Sequence, residues 1–159
     1  MNQNIFKEIK IFDGGMGQEL LANGLVGKGT LWSSTALLDE KYHDLVVNTH
    51  LSFINSGADV IVTNNFSSRR QRLKQNKVEN KFDYLNIKAG ELAVKAREKS
   101  KKNIYIAGCL PAQNDTYVSD LREMNVIKKD FADQANLIKP FVDFFYLDVI
   151  SSGNEVEAA

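Results

Sequence analysis

The chain has 159 residues, 43% of them hydrophobic, 25% charged and 9% aromatic, the proportions of one globular domain and not of a disordered chain. Twenty Lys and Arg residues balance twenty Asp and Glu residues. A neutral chain lacks the broad electrostatic pull towards nucleic acid or an anionic membrane, so neither is expected as a partner, and neutrality favours self-association.

The single cysteine, Cys109, excludes an intrachain disulfide and any metal site that takes two or more thiolates from this chain. No run approaches the roughly 20 apolar residues of a membrane span. The opening MNQNIFKEIKIFD lacks the apolar core of a secretory signal. The expected compartment is the cytoplasm.

In chain order, Lys10-Ile11-Phe12 is a short apolar entry to the turn Asp13-Gly14-Gly15. A helical turn over 18–22 stops near Gly24, and 27–30 is a loop. A helix is predicted over 39–56, capped by Asp39, with Leu45, Val46, Thr49, Phe53 and Ile54 at helical spacing. Gly57 stands where a left-handed cap belongs. The β-branched run 59–63 (DVIVT) is a buried strand ending at Asn64-Asn65. The basic stretch 67–81 reads as a loop with one helical turn. A second long helix over 82–99 carries Leu85, Ala89, Leu92, Ala93 and Ala96 on one face. Strand 104–108 (IYIAG) and a loop over 110–117 follow. A third helix over 130–139 ends at Pro140, and 142–150 (VDFFYLDVI) contains a fourth strand. Ser152 and Glu155 form an S-x-x-E capping box.

Strands and helices alternating at about 40-residue spacing imply βαβ units, right-handed crossovers and a parallel sheet. Four such units fit an open doubly wound sheet or half of a (β/α)8 barrel, whose full form takes about 250 residues. The capping box, followed by only four residues, favours the barrel, cut within a longer pattern.

Ligand-binding groups collect after the strands of such folds. Asp13-Gly14-Gly15-Met16-Gly17 is neither a P-loop nor a G-x-G-x-x-G fingerprint. It reads as a ligand-approached loop or as a tight turn needing glycine. Asn64 offers a donor and an acceptor to a polar substrate, or stabilises its turn. Asp148, ending the fourth strand in an apolar run, either recognises a cation or receives loop amides. Cys109 reads as a small buried hydrophobe. Trp32 packs over the cavity mouth or covers the core. His43 and His50 stand about 10 Å apart along one helix, too far for an easy shared metal site. Arg69-Arg70-Gln71-Arg72-Leu73-Lys74 reads as a solvated face rather than a phosphate or RNA site.

Four segments, IFDGGMGQEL (11–20), LWSSTALLDE (31–40), INSGADVIVTNNF (54–66) and FFYLDVISSGNEVEAA (144–159), resemble the homocysteine S-methyltransferases, in order and across almost the whole chain. The resemblance implies a (β/α)8 barrel that moves a methyl group onto homocysteine sulfur, giving methionine. The family's methyl donors are S-methylmethionine, S-adenosylmethionine, betaine or a methylated folate. Asp13 and Gly14 match the homocysteine-contacting loop. Asp148 stands where the family usually has Glu, shortened by one methylene. In the family, zinc held by three cysteines of the second barrel half binds the substrate sulfur as thiolate. Cys109 matches none of these, so no zinc or other cofactor is expected on this chain alone.

The expectation is a single domain over 1–159, truncated after the fourth strand and inactive alone. Its partners are homocysteine, a methyl donor, and either a second copy or a complementary C-terminal half. The alternatives are a non-catalytic amino-acid-binding half-barrel and a different small α/β enzyme with Asp13 or Asp148 as general base.

Overall fold

The computed structural model describes residues 5–159. Three parallel strands, β1 (Val60–Val62), β2 (Tyr105–Pro111) and β3 (Phe144–Asp148), lie in that order. Val60 stands opposite Tyr105, and Ala107 opposite Phe144. The helices are α1 (Met16–Ala22), α2 (Thr35–Leu38), α3 (His43–Asn55), α4 (Arg70–Gln75), α5 (Phe82–Ser100), α6 (Met124–Ile138) and α7 (Gly153–Ala158). α5 crosses from β1 to β2 and α6 from β2 to β3, as parallel pairing demands.

The first predicted strand takes its place beside β1 but pairs through a single bridge, Phe12 to Val60. The Ile11 carbonyl receives both Asp59 N–H (2.8 Å) and Val60 N–H (3.1 Å), and Ile11 N–H is taken by the Asp59 carboxylate at 2.9 Å. The side chain of Asp59 thus replaces a ladder bond, and the glycine turn after Asp13 ends the pairing.

Strand alternation divides the sheet into two faces. Ile61 and Ile106 pack into the large core built with α3 and α5. Leu110 and Phe145 pack against Ile127 and Phe131 of α6. The other face carries Val60, Val62, Tyr105, Ala107 and Phe144, packed with Ile5 and Phe12 and with no residue of the long helices. Helices on one face and a small strand-lined interior on the other are the wall of a barrel, not a doubly wound sheet covered on both sides.

Several boundaries differ from the sequence expectation. Asp39 caps a 3-10 turn, Glu40–Tyr42, by accepting Lys41 N–H at 3.3 Å, and α3 proper begins at His43. Gly57 holds the predicted left-handed conformation at φ +109°. β2 runs on to Pro111, because its last residues pair with β3 up to Asp148. α6 begins at Met124, six residues before the predicted start. Ile127, one turn ahead of Phe131 on the same buried face, carries that extra length. The capping box does start a helix. Ser152 Oγ accepts Glu155 N–H at 3.4 Å, Glu155 Oε2 accepts Ser151 N–H at 3.2 Å, and Ala158 packs against α6 residues. Packing holds α7 where its own length would not.

Candidate active site

The ends of the strands and the loops after them line one cavity of about 680 Å³. The inner-face alternation of the sheet continues into it: Val62, Cys109, Tyr146 and Asp148 point inward above the layer of Val60, Ala107 and Phe144. Asp13 enters from the turn after Phe12.

Asp13 Oδ2 accepts Val62 N–H at 2.9 Å, which fixes its carboxylate against the end of β1. Burial pushes its carboxyl up to about 7, against the pull of that hydrogen bond and with the Asp148 charge adding to the rise. Burial also raises the Asp148 carboxyl, and the Cys109 thiol, donating to its Oδ2 at 3.5 Å, works the other way. Among the described residues, no basic side chain acts on either acid. Two desolvated carboxylates without a countercharge form a seat for a cation.

Gly14 and Asn64 also line the cavity. A Cβ on Gly14 would stand 2.9 Å from the Phe53 ring, so the loop lies against α3 only because that residue is glycine. The buried Asn64 amide donates to the Ser33 carbonyl at 3.2 Å, which ties β1 to the segment after Trp32. Asn64 is therefore both a lining residue and a turn anchor. The structure brings Asp13, Gly14, Asn64 and Asp148 to one cavity.

Trp32 lies over the mouth, at φ +47°, its ring edge-on to Phe66 at 6.5 Å and against the space a Gly17 Cβ would need. Phe12, Tyr117 and Tyr146 complete an aromatic lining that sequence reasoning did not collect. Period-2 alternation from Phe144 was the available signal for Tyr146.

The basic run departs from its expected role. Arg70 and Arg72 are half-buried, and Arg69 is fully buried. Arg69 donates to the carbonyls of Asn114 and Phe66, each at 3.3 Å. Local charge pattern could not show this, since the covering loop lies 45 residues on.

Burial pushes the Cys109 thiol well up, and the thiol is bonded to a carboxylate rather than beside another sulfur. Among the described residues no three His, Cys, Asp or Glu side chains are placed to hold a metal ion. These residues do not compose a three-thiolate zinc site. His43 Nε2 meets the Leu37 carbonyl at 3.0 Å, and His50 is buried. No helix among the described residues is long and apolar enough to cross a membrane.

Three comparisons bear on this site. Among curated proteins, homocysteine S-methyltransferase 2 of Zea mays is 28% identical over 110 residues, covering 69% of this chain and 32% of that protein. Homocysteine S-methyltransferase 1 of Arabidopsis thaliana is 29% identical over 96 residues, covering 56% of this chain and 27% of that one. Among solved structures, the metallated homocysteine methyltransferase MmuM from Escherichia coli superposes with a TM-score of 0.81 at 23% identity, covering 96% of this chain and 58% of that one. The oxidized form gives 0.82. The fold is thus part of the barrel those enzymes share, and the chain spans 32% of the maize protein's length and 58% of the MmuM chain. The model of the family described as homocysteine S-methyltransferase matches residues 10–159, and the chain belongs to that family.

Proposed function

We propose that this chain forms the amino-acid-binding wall of an enzyme that methylates homocysteine sulfur to give methionine. The carrying observation is the pair Asp13 and Asp148: two carboxyls raised by burial, in one cavity, with no basic side chain among the described residues acting on them. A substrate ammonium placed between them restores their charged forms and is held by charge-assisted hydrogen bonds. Gly14 keeps the loop backbone close to the ligand, and Asn64 fixes the mouth. Asp148 is one methylene shorter than Glu, so its reach to the ammonium includes a bridging water.

Methyl transfer needs a sulfur nucleophile. A free thiol has a pKa of about 8.5 and is mostly protonated at neutral pH. The proposal assigns Asp13 and Asp148 to the substrate ammonium, which leaves neither to take that proton at the sulfur. The role proposed for this chain is positioning, and the activating group lies outside its residues. A second reading, amino-acid binding without turnover, is favoured by the single buried cysteine.

Calorimetry of the full chain with L-homocysteine and L-methionine, without added zinc, tests the binding role. Binding abolished in both Asp13→Asn and Asp148→Asn is expected. Homocysteine binding that survives the double variant sinks the proposal. A methyl-transfer assay with S-methylmethionine on this chain mixed with a complementary C-terminal half separates the two readings: turnover supports the first and binding without turnover the second.

Both sheet edges also shape the partner reading. Ile9 and Ile11 are exposed beside the Phe12 bridge, and Tyr146 and Leu147 are exposed on β3. Open edges of this kind recruit further strands. We propose that a second copy or a complementary C-terminal half pairs there. Light scattering on the chain alone distinguishes them: a dimer supports the former, a monomer the latter.

A further inference from the structure

Arg69 and Arg72 converge on one exposed carboxylate. The Arg69 side chain has no exposure, yet its Nη2 has no hydrogen-bond partner among the described residues. The carboxylate oxygen paired with it, Asp115 Oδ1, is 3.9 Å away. Arg72 Nη2 reaches that same oxygen at 3.3 Å, and Oδ1 also accepts Thr116 N–H at 2.8 Å. One carboxylate, 56% exposed, thus serves two guanidinium groups and a backbone amide. A positive charge is left over. Arg70 does not share this site, because it pairs with Asp133 at 3.0 Å and lies over the Phe82 ring.

The surplus charge faces a ligand space. Arg72 lines the cavity beside Thr30, Ser67 and Thr116. The Arg72 carbonyl accepts from Asn76, which also bonds Thr30 Oγ1, each at 2.8 Å, so the arginine is held to the loop that borders the mouth. A buried guanidinium with an unmatched N–H is costly unless an anion completes it. Arginine presents a planar fork suited to a carboxylate.

We propose that Arg69 and Arg72 form a receptor for a ligand carboxylate, with Arg72 in direct contact and Arg69 supplying charge and a donor behind it. The proposal rests on the reading that Asp13 and Asp148 hold an ammonium. The cavity then matches a zwitterion, with acids unanswered by any base and bases only partly answered by Asp115. The carboxylate belongs to the homocysteine itself or to a methyl donor bound beside it.

The test is calorimetry of the full chain with two pairs of probes. One pair is L-homocysteine and 3-aminopropane-1-thiol, which lacks the carboxylate. The other is S-methylmethionine and its decarboxylated sulfonium. The proposal expects wild type to lose about tenfold or more in affinity when the carboxylate is removed from one pair, and the pair that responds identifies the source. Arg72→Gln is expected to show the same loss with the intact probe and no further loss with the truncated one. Arg72→Lys, which keeps the charge without the fork, recovers part of it. Asp13→Asn is expected to abolish binding of intact and truncated probes alike. If Asp13→Asn has no effect while the Arg72 dependence stands, the ammonium reading fails and the receptor survives. If Arg72→Gln binds both intact probes like wild type, or if neither intact probe binds wild type, the receptor is overturned.

Discussion

The thiol of Cys109 donates to Asp148 Oδ2 at 3.5 Å, joining the inner faces of β2 and β3 at the floor of the cavity. Burial raises both groups, and the contact works in opposite directions on them: it lowers the Asp148 carboxyl and raises the thiol. Cys109→Ala should therefore move the Asp148 pKa further up, while Cys109→Ser, which keeps a donor, should not. Carboxyl carbon NMR titration of the two variants reads this directly. An unchanged Asp148 in Cys109→Ala refutes the coupling. In wild type the same burial predicts that a maleimide labels Cys109 far more slowly before unfolding than after.

Asp13 gives the cavity its pH dependence. Its folded pKa, about 7, lies above the ordinary value of 3.8, so the native state binds this proton more tightly than the unfolded chain. The associated stability is fully present below 3.8 and lost as pH rises through 7. Asp13→Asn should therefore stabilise the chain more at pH 8 than at pH 5, by on the order of 1–3 kcal/mol at the higher pH. Urea unfolding at the two values measures it. The same substitution should abolish amine binding, so stability and binding move in opposite directions.

His50 acts with the other sign. Both ring nitrogens are buried without partners among the described residues, and burial lowers its pKa from 6.5 to about 3. The unfolded chain then binds the proton more readily, and stability falls as pH drops below 6.5, levelling off near 3. The loss reaches about 3 kcal/mol at pH 4. His50→Leu should remove that part of the acid sensitivity, seen as a flatter plot of urea midpoint against pH. A variant as acid-labile as wild type would place the sensitivity elsewhere.

Much of this architecture was legible because local chemistry and tertiary role agree. The strand 59–63 is β-branched and ends at polar residues, which sets Asn64 at a barrel mouth. Asp148 stood out as a carboxylate in an apolar run. The start of α6 was hidden because Glu123, its cap, makes no side-chain bond and Lys128-Lys129 dilute the apolar pattern. Burial of Arg69 was invisible, since it arises when the Asn114 carbonyl folds over it from the loop after β2. Asn86 could have been found: it lies on the face of Leu85 and Ala89 in a helix whose other polar residues point outward, a mark of a paired core amide.

Gly90, inside α5, is a packing requirement. A Cβ there would stand 2.5 Å from the Phe141 ring. Helix propensity alone would favour Gly90→Ala by about 1 kcal/mol. Overpacking costs about 1–3 kcal/mol, so the variant should be less stable on balance. Phe141→Ala removes the two nearest ring carbons, at 2.5 and 2.6 Å, so Gly90→Ala should cost less in that background, and a double-mutant cycle by urea unfolding checks it. Stabilisation by the single substitution would mean that the ring moves aside freely.

The amide of Asn86 ties the helical layer to the cavity. Its Oδ1 accepts from Asn65 Nδ2 at 3.1 Å and from Gln134 Nε2 at 2.9 Å, and its Nδ2 donates to the carbonyls of Ser68 and Phe82 at 3.1 and 2.9 Å. Asn65 in turn donates to the Cys109 carbonyl at 3.0 Å and accepts from Thr63 Oγ1 at 2.6 Å, while Thr63 Oγ1 accepts Cys109 N–H at 2.9 Å. The ends of β1 and β2 are thus locked together by side chains from α5 and α6, at the level where Cys109 meets Asp148. Asn86→Leu keeps the branched shape but strands buried donors on Gln134 and Asn65 and a carbonyl on Ser68, at a cost of about 1–3 kcal/mol for each group left unsatisfied. The predicted loss of several kcal/mol is read by urea unfolding. Because Asn65 loses its brace, the homocysteine affinity proposed for the cavity should fall as well under conditions where the variant is still folded. Gln134→Leu, which removes one spoke and leaves the Asn86–Asn65 bond, should lower stability with a smaller effect on binding. Equal effects of the two substitutions on affinity would show that the network stabilises the fold without shaping the cavity.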